Sequence, residues 1–268
     1  MTKKQILITN DDGIKSPGLL AAARSLVSLG DIHIVAPREQ YSGAGRSLPL
    51  SSDGIIQKQE LHINGRTHIG YAVGGSPAQS VLFGVLEILD KKPDLIVSGI
   101  NYGENVGSGI TISGTIGAAL EAAAMGIQAI AVSLETNREH HHSLSEEVDF
   151  SAAAHFTQMF SKIVLDNRFP EDVDILKIDI PCDATVDTPW RITKVSRNRY
   201  FYPTPPERLS WEEPGILGYQ ATDNFDGEEE NTDVYALQAQ RVVSVSPISL
   251  DMTSRTNFED LQQLLEKK

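Results

Sequence analysis

Short apolar runs alternate with helical patterns along the first 180 or so residues, and this alternation limits how the chain can fold. The first run, Gln5 to Thr9, is followed by Ser16-Pro17 and an apolar helical pattern that stops at Gly30. Further strand patterns lie at 31–36, 94–98, 129–134 and 174–180. Continuous apolar strands joined by helices are typical of parallel sheets covered on both faces, so we predict an α/β fold.

Two regions depart from this alternation. Residues 54–73 alternate apolar and polar side chains around Asn64-Gly65, which predicts a β-hairpin. After residue 184 the pattern fades into separate β segments, at 191–202, 218–221 and 242–245, joined by prolines and acids. We therefore predict an α/β core over 1–184 and an appendage over 185–268 that is not an independent domain.

The helical segments carry their own start signals. A Ser-Pro pair predicts a helix over 76–89, and an alanine-rich run predicts another over 115–125. A third, longer helix is predicted from Ser143 and Glu146, which fit a capping box, through an apolar face that runs from Val148 to Val164.

Charge and composition exclude several classes of protein. The 23 basic and 36 acidic residues leave a net charge of −13, which repels a nucleic-acid duplex but allows a small phosphorylated substrate. We expect no membrane association and no secretory signal, because no apolar run approaches 18 residues and only a short one follows the N-terminal lysines. The single cysteine, Cys182, rules out an internal disulfide, so we expect a cytoplasmic protein.

Ligands of open α/β sheets bind beyond the carboxyl ends of the strands, and three loops there are unusual. After the first strand, Asp11 and Asp12 precede Gly13, and a turn at that glycine can bring both carboxylates onto one ion. Helix capping by one acid is the alternative. After the second strand, a loop over 37–47 holds Ser42, two arginines and two glycines, and a mobile surface loop is the alternative there.

The third loop, over 99–115, contains five glycines and several hydroxyl residues before a helix. The free N–H groups of such a helix start can hold a phosphate. We predict a long loop without regular structure, which is usually functional in a compact fold.

Several common catalytic templates are absent. No Gly-Lys-Ser/Thr closes the glycine-rich loop, the glycine spacing is not that of a dinucleotide fingerprint, and no G-x-S-x-G occurs there. The histidines at 140–142 are consecutive and lack metal-site spacing, so we predict an exposed loop for them. What remains is a set of oxygen donors that suits Mg²⁺ or Mn²⁺, namely Asp11, Asp12, a hydroxyl such as Ser42 and an amide such as Asn101.

Five ordered blocks of sequence resemble the survival protein SurE family of metal-dependent nucleotidases. They are ILITNDDGIKSPGL, VAPREQYSGAGRSL, GGSPAQSVLFGVLEIL, the segment from PDLIVSGINYGENVGSG to AIAVS, and TDVYALQAQRVVSVSPISLD. The resemblance implies a phosphomonoesterase that acts on nucleoside 5′-monophosphates, often on 3′-monophosphates and sometimes on short polyphosphate. It also implies a Rossmann-like three-layer α/β/α sandwich with a β-hairpin arm, and a C-terminal segment exchanged within a homodimer or a dimer of dimers.

The family's site residues can be carried onto matching positions. Its ligands to one divalent ion per subunit fall on Asp11, Asp12, Ser42 and Asn101, and Asp11, Asp12 and Asn101 would be catalytic. Its phosphate-side residues fall on Asn105, Ser108, Ser113, Gly114 and Thr115. Departures occur at Gln79, Ile112 and Gln128, and Ile112 bears on base preference.

These residues predict hydrolysis by water that the ion activates, with the 108–115 segment stabilising the phosphoryl oxygens. Arg46, in the glycine-rich half of the second loop, is predicted to attract the substrate phosphate, with a surface arginine as the alternative. A receiver-type signalling module, or a nucleotide-binding protein without turnover, is the competing hypothesis. The receiver would need a phosphorylatable aspartate where the chain has Asn101.

Overall fold

The computed structural model describes residues 3–141, 143–225 and 227–267. The strands in this part of the chain are β1 (Gln5–Thr9), β2 (Asp31–Pro37), β3 (Ile56–Ile63), β4 (Arg66–Val73), β5 (Leu95–Tyr102), β6 (Ala129–Leu134), β7 (Ile175–Ile180), β8 (Trp190–Ile192), β9 (Phe201–Thr204), β10 (Gly218–Ala221) and β11 (Val243–Ile248). The α-helices are α1 (Pro17–Leu26), α2 (Pro77–Phe83), α3 (Gly114–Ala124), α4 (Ser151–Asp166), α5 (Asp233–Gln238) and α6 (Phe258–Glu266). Among the described residues, no helix has the length and apolar character needed to cross a bilayer.

A nine-stranded sheet forms the middle of the molecule, in the order β3-β4-β2-β1-β5-β6-β7-β11-β8. The six strands from β4 to β7 are parallel to one another. Strands β3 and β11 run antiparallel to β4 and β7, and β9 and β10 form a separate two-stranded sheet. The predicted α/β fold is confirmed.

Helices cover both faces of the sheet, as the apolar strands require. Ile6 and Ile8 of β1 pack on one face, in a buried cluster with side chains of α1 and α4 such as Leu19 and Phe156. Leu7 points to the other face and packs in a second cluster with side chains of α2 and α3. Alternate residues of one strand thus contribute to two cores, which makes the molecule a three-layer sandwich.

The predicted hairpin is present at one edge of the sheet. Strands β3 and β4 pair in antiparallel register, and β4 continues the parallel sheet beside β2. The turn residues Asn64 and Gly65 have φ values of 48° and 74°. Positive φ at both positions is what a two-residue hairpin turn requires, and Asn-Gly tolerates it at low cost.

Two local predictions are wrong. Helix α4 begins at Ser151, so Ser143 and Glu146 lie outside it and form no capping box; Asp149 accepts the Ser151 N–H just before the first turn. The 99–115 segment is not structureless, because β5 extends to Tyr102 and a 3₁₀ helix spans Gly107–Ile112. The loop was predicted from its glycine content, but glycines occur in tight helical turns as well as in open loops.

The chain after residue 184 contributes to the central sheet. Strand β11 pairs with β7, and β8 pairs with β11. Helix α5 packs beside β11, and Val243 and Val245 of β11 are buried in the core. The boundary at 185 and the role of this region in dimerisation stay predictions.

Candidate active site

The carboxyl ends of β1, β2 and β5 bring the three loops of interest together. Since β1 lies between β2 and β5, the residues that follow these parallel strands meet at one edge of the sheet. A cavity of about 650 Å³ opens there. Its lining includes six of the predicted site residues, Asp11, Ser42, Asn101, Asn105, Ser108 and Ser113.

A tight turn after β1 places the acid pair. The Asn10 side-chain oxygen accepts the Gly13 N–H at 3.1 Å, and Gly13 has a φ of 99° that other residues rarely adopt. The chain therefore reverses before α1, and both Asp11 and Asp12 are buried, with Asp11 in the lining of the cavity and Asp12 outside it. This geometry favours a shared role for the two acids over helix capping, because Ser16 caps α1.

Asp11 is held from the start of α3. The Thr115 hydroxyl donates to Asp11 Oδ1, and the backbone N–H groups of Gly114 and Thr115 also donate to this carboxylate. A Cβ at Gly114 would lie 2.7 Å from the Asp11 Cβ, so glycine permits the close approach. In this structure Gly114 and Thr115 thus contact Asp11, and a direct contact with phosphate stays a prediction for both.

Asp12 is held by the two neighbouring strand ends. Gln40 donates to Asp12 Oδ1 at 3.1 Å, and the Tyr102 N–H donates to Oδ2 at 3.3 Å. Burial raises the pKa of Asp11, and burial together with the negative charge of Asp11 raises the pKa of Asp12 well above its usual range. Two adjacent buried carboxylates are therefore costly as anions without a compensating cation.

The donor set fits a hard divalent cation. Asn101 Nδ2 donates to the backbone oxygens of Tyr102 and Gly103 at 3.1 and 2.7 Å, so its amide oxygen is the atom that can bind a cation. Ser42 is exposed at the rim of the same cavity. Together with Asp11 and Asp12, these side chains offer only oxygen ligands, which Mg²⁺ and Mn²⁺ prefer.

The phosphate-side residues lie on the loop and the 3₁₀ helix that follow β5. Asn105 Nδ2 donates to Ser133 Oγ at 2.8 Å, and the Asn105 N–H donates to Asp179 at 2.7 Å. Ser108 is exposed and is anchored through its N–H to the Asn198 carbonyl. Ser113 caps α3 by accepting the Ile116 N–H.

Arg46 lies outside the cavity lining. Its Nε donates to Glu121 Oε2 of α3 at 2.7 Å, and the arginine side chain is 39% exposed. This ion pair with α3 is a structural contact, and it agrees with the alternative that Arg46 is a surface arginine. A contact between Arg46 and substrate phosphate stays a prediction.

The cavity lining also includes residues that carry no role in the sequence analysis. Among them are Glu104, His141, Phe201 and Tyr219. We expected His141 to lie on an exposed loop, yet it is half-buried, its Nδ1 hydrogen-bonds the Tyr219 hydroxyl at 2.9 Å, and its carbonyl accepts from Gln40. Its position after β6, at another carboxyl strand end, was the signal that could have found it. His142 lies outside the described residues.

Glu104 is a buried acid with an unsatisfied oxygen. Its Oε2 has no hydrogen-bond partner among the described residues, and Glu104 is only 6% exposed. Burial, reinforced by the charges of Glu135 and Asp179, raises the pKa of Glu104 to about 7. Between its usual value of 4.5 and about 7, the folded protein holds a proton that the unfolded chain has lost.

The free energy of unfolding should therefore fall as pH rises from about 4.5 to 7, and stay level above that range. At about 1.4 kcal/mol per pH unit, the upper limit of this loss is about 3 kcal/mol. We expect Glu104→Gln to remove most of it and to be the more stable protein at pH 8. Denaturant unfolding at pH 5 and pH 8 measures this. The exposed Glu147→Gln is the control, and an unchanged pH dependence in Glu104→Gln would contradict the assignment.

A separate group of possible ligands lies away from the acid pair. Glu135, Cys182 and Asp183 come close enough to hold an ion. Arg241 donates to the Glu135 and Asp183 carboxylates, at 2.6 Å each, and contacts the Cys182 sulfur at 3.4 Å. The guanidinium already pairs with both carboxylates and contacts the sulfur, so we assign no metal to them.

The three positions that depart from the family pattern have local explanations. The Gln79 side chain accepts from the Ser76 N–H and so completes the N-cap of α2. Gln128 donates to the Val164 carbonyl at the end of α4. Ile112 is 64% exposed at the cavity, where it can contact a bound ligand.

Comparison with known proteins identifies the family. The profile described as "Survival protein SurE" matches residues 6–202. A protein of Thermococcus gammatolerans named 5′-nucleotidase SurE is 42% identical over 268 residues, covering 97% of this chain and 96% of that protein. The chain belongs to the SurE family. Another member with the same name, from Methanocaldococcus jannaschii, is 40% identical and covers 98% of this chain and 97% of its own length.

The SurE fold also agrees with a solved structure. The crystal structure of SurE protein from Aquifex aeolicus superposes with a TM-score of 0.76 at 30% identity, covering 98% of this chain and all of that one. The resemblance predicted from the sequence blocks is confirmed.

Proposed function

We propose that this SurE-family chain is a 5′-nucleotidase that hydrolyses nucleoside 5′-monophosphates, and also 3′-monophosphates, with one Mg²⁺ or Mn²⁺ ion per subunit. The observation that carries the proposal is the buried pair Asp11 and Asp12, of which Asp11 lines the same cavity as Asn101, Asn105, Ser108 and Ser113. The names of the relatives supply the substrate class. A reducing cytoplasm is the proposed compartment, since the single cysteine cannot form an internal disulfide.

The proposed site divides the chemistry between two sets of residues. Asp11, Asp12, Ser42 and Asn101 would hold the cation, which when bound polarises a phosphoryl oxygen and lowers the pKa of a water nucleophile. Asn105, Ser108 and Ser113 would orient the phosphate and donate hydrogen bonds to its oxygens as charge develops. Gly114 and Thr115 support the acid set by their bonds to Asp11.

Metal removal tests the proposal directly. We expect the purified protein to release inorganic phosphate from a nucleoside 5′-monophosphate, to lose this activity after exhaustive treatment with EDTA, and to regain it with Mn²⁺ or Mg²⁺. The physical reason is that all four proposed ligands are oxygens. Colorimetric phosphate release is the measurement, and a far-ultraviolet spectrum after EDTA controls for unfolding. Full activity after chelation would refute the metal requirement, and no phosphate release with any metal would refute the nucleotidase.

We also propose that the chain forms a homodimer or a dimer of dimers through its C-terminal region. Helix α6 has no buried residue, and its apolar side chains are Phe258, Leu261, Leu264 and Leu265. Residues at spacings of three and four share one helix face, so this face needs a partner surface. A second copy of the chain is the proposed partner.

Deleting residues 252–268 should lower the oligomeric state, because the deletion removes α6 but keeps β11 in the central sheet. We expect light scattering to report half the mass of the full chain, with the melting temperature of the core retained. Leu261→Asp combined with Leu265→Asp should act in the same direction, and Gln263→Asp on the same helix is the matched control. An unchanged mass in the deletion would refute this interface.

A further inference from the structure

The cavity at the acid pair has a second, aromatic part. Phe201 of β9 and Tyr219 of β10 line it, and they are half-buried, so part of each ring is exposed to the cavity. Pro203 and Leu217 extend this apolar surface. The cavity therefore combines acids, amides and hydroxyls that lie near the ends of central-sheet strands with an apolar, largely aromatic surface at the two-stranded sheet.

The two rings are held in place by their strands. In the antiparallel register, Ala221 pairs with Phe201 and Tyr219 pairs with Pro203, so Phe201 and Tyr219 are diagonal neighbours on one face. Their ring centroids lie 5.5 Å apart with an interplanar angle of 80°. Tyr202, between Phe201 and Pro203, is exposed and lines a different cavity.

Tyr219 is further fixed by groups that follow β6. The His141 ring lies nearly parallel to it, with centroids 6.0 Å apart and an angle of 14°, and His141 Nδ1 hydrogen-bonds its hydroxyl. The Arg138 guanidinium lies 4.8 Å from the Tyr219 ring centroid. A ring fixed before binding loses little conformational entropy when a ligand stacks on it.

We infer that Phe201 and Tyr219 form the nucleobase subsite of this cavity. This inference rests on the proposed nucleotidase function, because it assumes that the phosphate lies at the acid pair. The volume of about 650 Å³ is in the range of small-ligand sites, so the cavity can hold both parts of a nucleotide. Stacking is tolerant of base identity, so the site accepts purines and pyrimidines, and purines bind more tightly because their ring surface is larger.

A comparison of two substrates tests the subsite. Kinetics are measured for a purine nucleoside 5′-monophosphate and for ribose 5-phosphate, which has the same phosphate and sugar but no base. In Phe201→Ala and Tyr219→Ala, we expect kcat/KM for the nucleotide to fall at least about tenfold, mainly through KM, with little change for ribose 5-phosphate. Tyr219→Phe should retain most of the nucleotide activity because it keeps the ring. Tyr202→Ala, on the same strand, is the matched control and should leave both substrates unaffected.

The outcomes separate this inference from the proposed function. Equal losses on both substrates would mean that the rings support the fold or the phosphate end, and unchanged kinetics would mean that the base binds elsewhere. Either result overturns the subsite while the nucleotidase stands. If the wild type hydrolyses neither compound, the nucleotidase fails, and calorimetric binding of the nucleotide to wild type and Phe201→Ala then decides the subsite: equal affinity refutes it.

Discussion

Replacing Asp11 or Asp12 with asparagine is expected to lower nucleotidase activity about 1000-fold or more and to leave the fold intact. A cation that stabilises transition-state charge contributes several kcal/mol, and each 1.4 kcal/mol or so is tenfold in rate. An amide is a weaker cation ligand than a carboxylate, so either change weakens the site. The substituted side chains keep the shape and the acceptor oxygen that Thr115 and the Tyr102 N–H use.

The measurement is kcat/KM at saturating Mn²⁺, with thermal unfolding in the same buffer. Mn²⁺ should raise the melting temperature of the wild type by mass action, and raise that of either variant much less. Asp166→Asn, which makes the same chemical change on an exposed acid of α4, is the control. Near-normal turnover in Asp11→Asn or Asp12→Asn would remove the acid pair from the mechanism.

Replacing Lys177 with methionine is expected to destabilise the protein by about 3 to 5 kcal/mol. Lys177 is fully buried on β7, where its ammonium contacts Asp179 and lies 3.1 Å from Asp233 Oδ2. Burial disfavours the charged amine, but the two carboxylates outweigh this and raise the pKa of Lys177. Methionine would leave both buried carboxylates without their cation, and this is the most costly way to break a buried ion pair.

Asp179→Asn is the matched variant for this test. It keeps Lys177 paired with Asp233, and the new amide can still accept the Asn105 N–H that Asp179 now accepts at 2.7 Å. We therefore expect a smaller loss, about 1 kcal/mol. Urea unfolding compares the two variants. Equal stability of Lys177→Met and Asp179→Asn would show that the ion pair does not compensate the buried charge.

This buried cluster also connects the core to the proposed phosphate side. Asp179 accepts the Asn105 N–H, and Asp233 accepts the Gly107 N–H at 3.1 Å and the Ser196 N–H at 2.9 Å. The loop after β5 is thereby tied to β7 and to the start of α5. Breaking this cluster should therefore lower the stability of the protein. It should also lower its activity, because Asn105 would lose the contact that holds it in position.

Much of the site could be predicted from sequence because local patterns specify it. The turn at Gly13 and the positions of Ser42 and Asn101 follow from the ends of strands that are recognisable as continuous apolar runs. The rule that ligands bind beyond carboxyl strand ends then places these residues together without knowledge of the distances. The hairpin turn at Asn64-Gly65 is equally local.

Other residues that line the cavity could not be predicted because their positions depend on long-range packing. Phe201 and Tyr219 lie on a separate two-stranded sheet, and in the sequence they are two aromatic residues among weak β patterns. Arg46 is a second case, since the loop pattern gives no sign of the ion pair that its side chain forms with Glu121 in the folded chain. Neither partner is adjacent in sequence, so no local pattern identifies the contact.

By itself, the sequence determined the alternation of strands and helices, the parallel sheet, the acid pair on its glycine turn and the oxygen donors proposed as ligands, because residue periodicity and turn chemistry act over a few residues. The tertiary structure alone decided which groups are buried together. It placed Lys177 between Asp179 and Asp233, left Glu104 with an unsatisfied oxygen, and brought His141 and Tyr219 to the cavity. Burial and charge proximity are properties of the packed chain, so the pKa of Glu104 and the aromatic surface follow only from the fold.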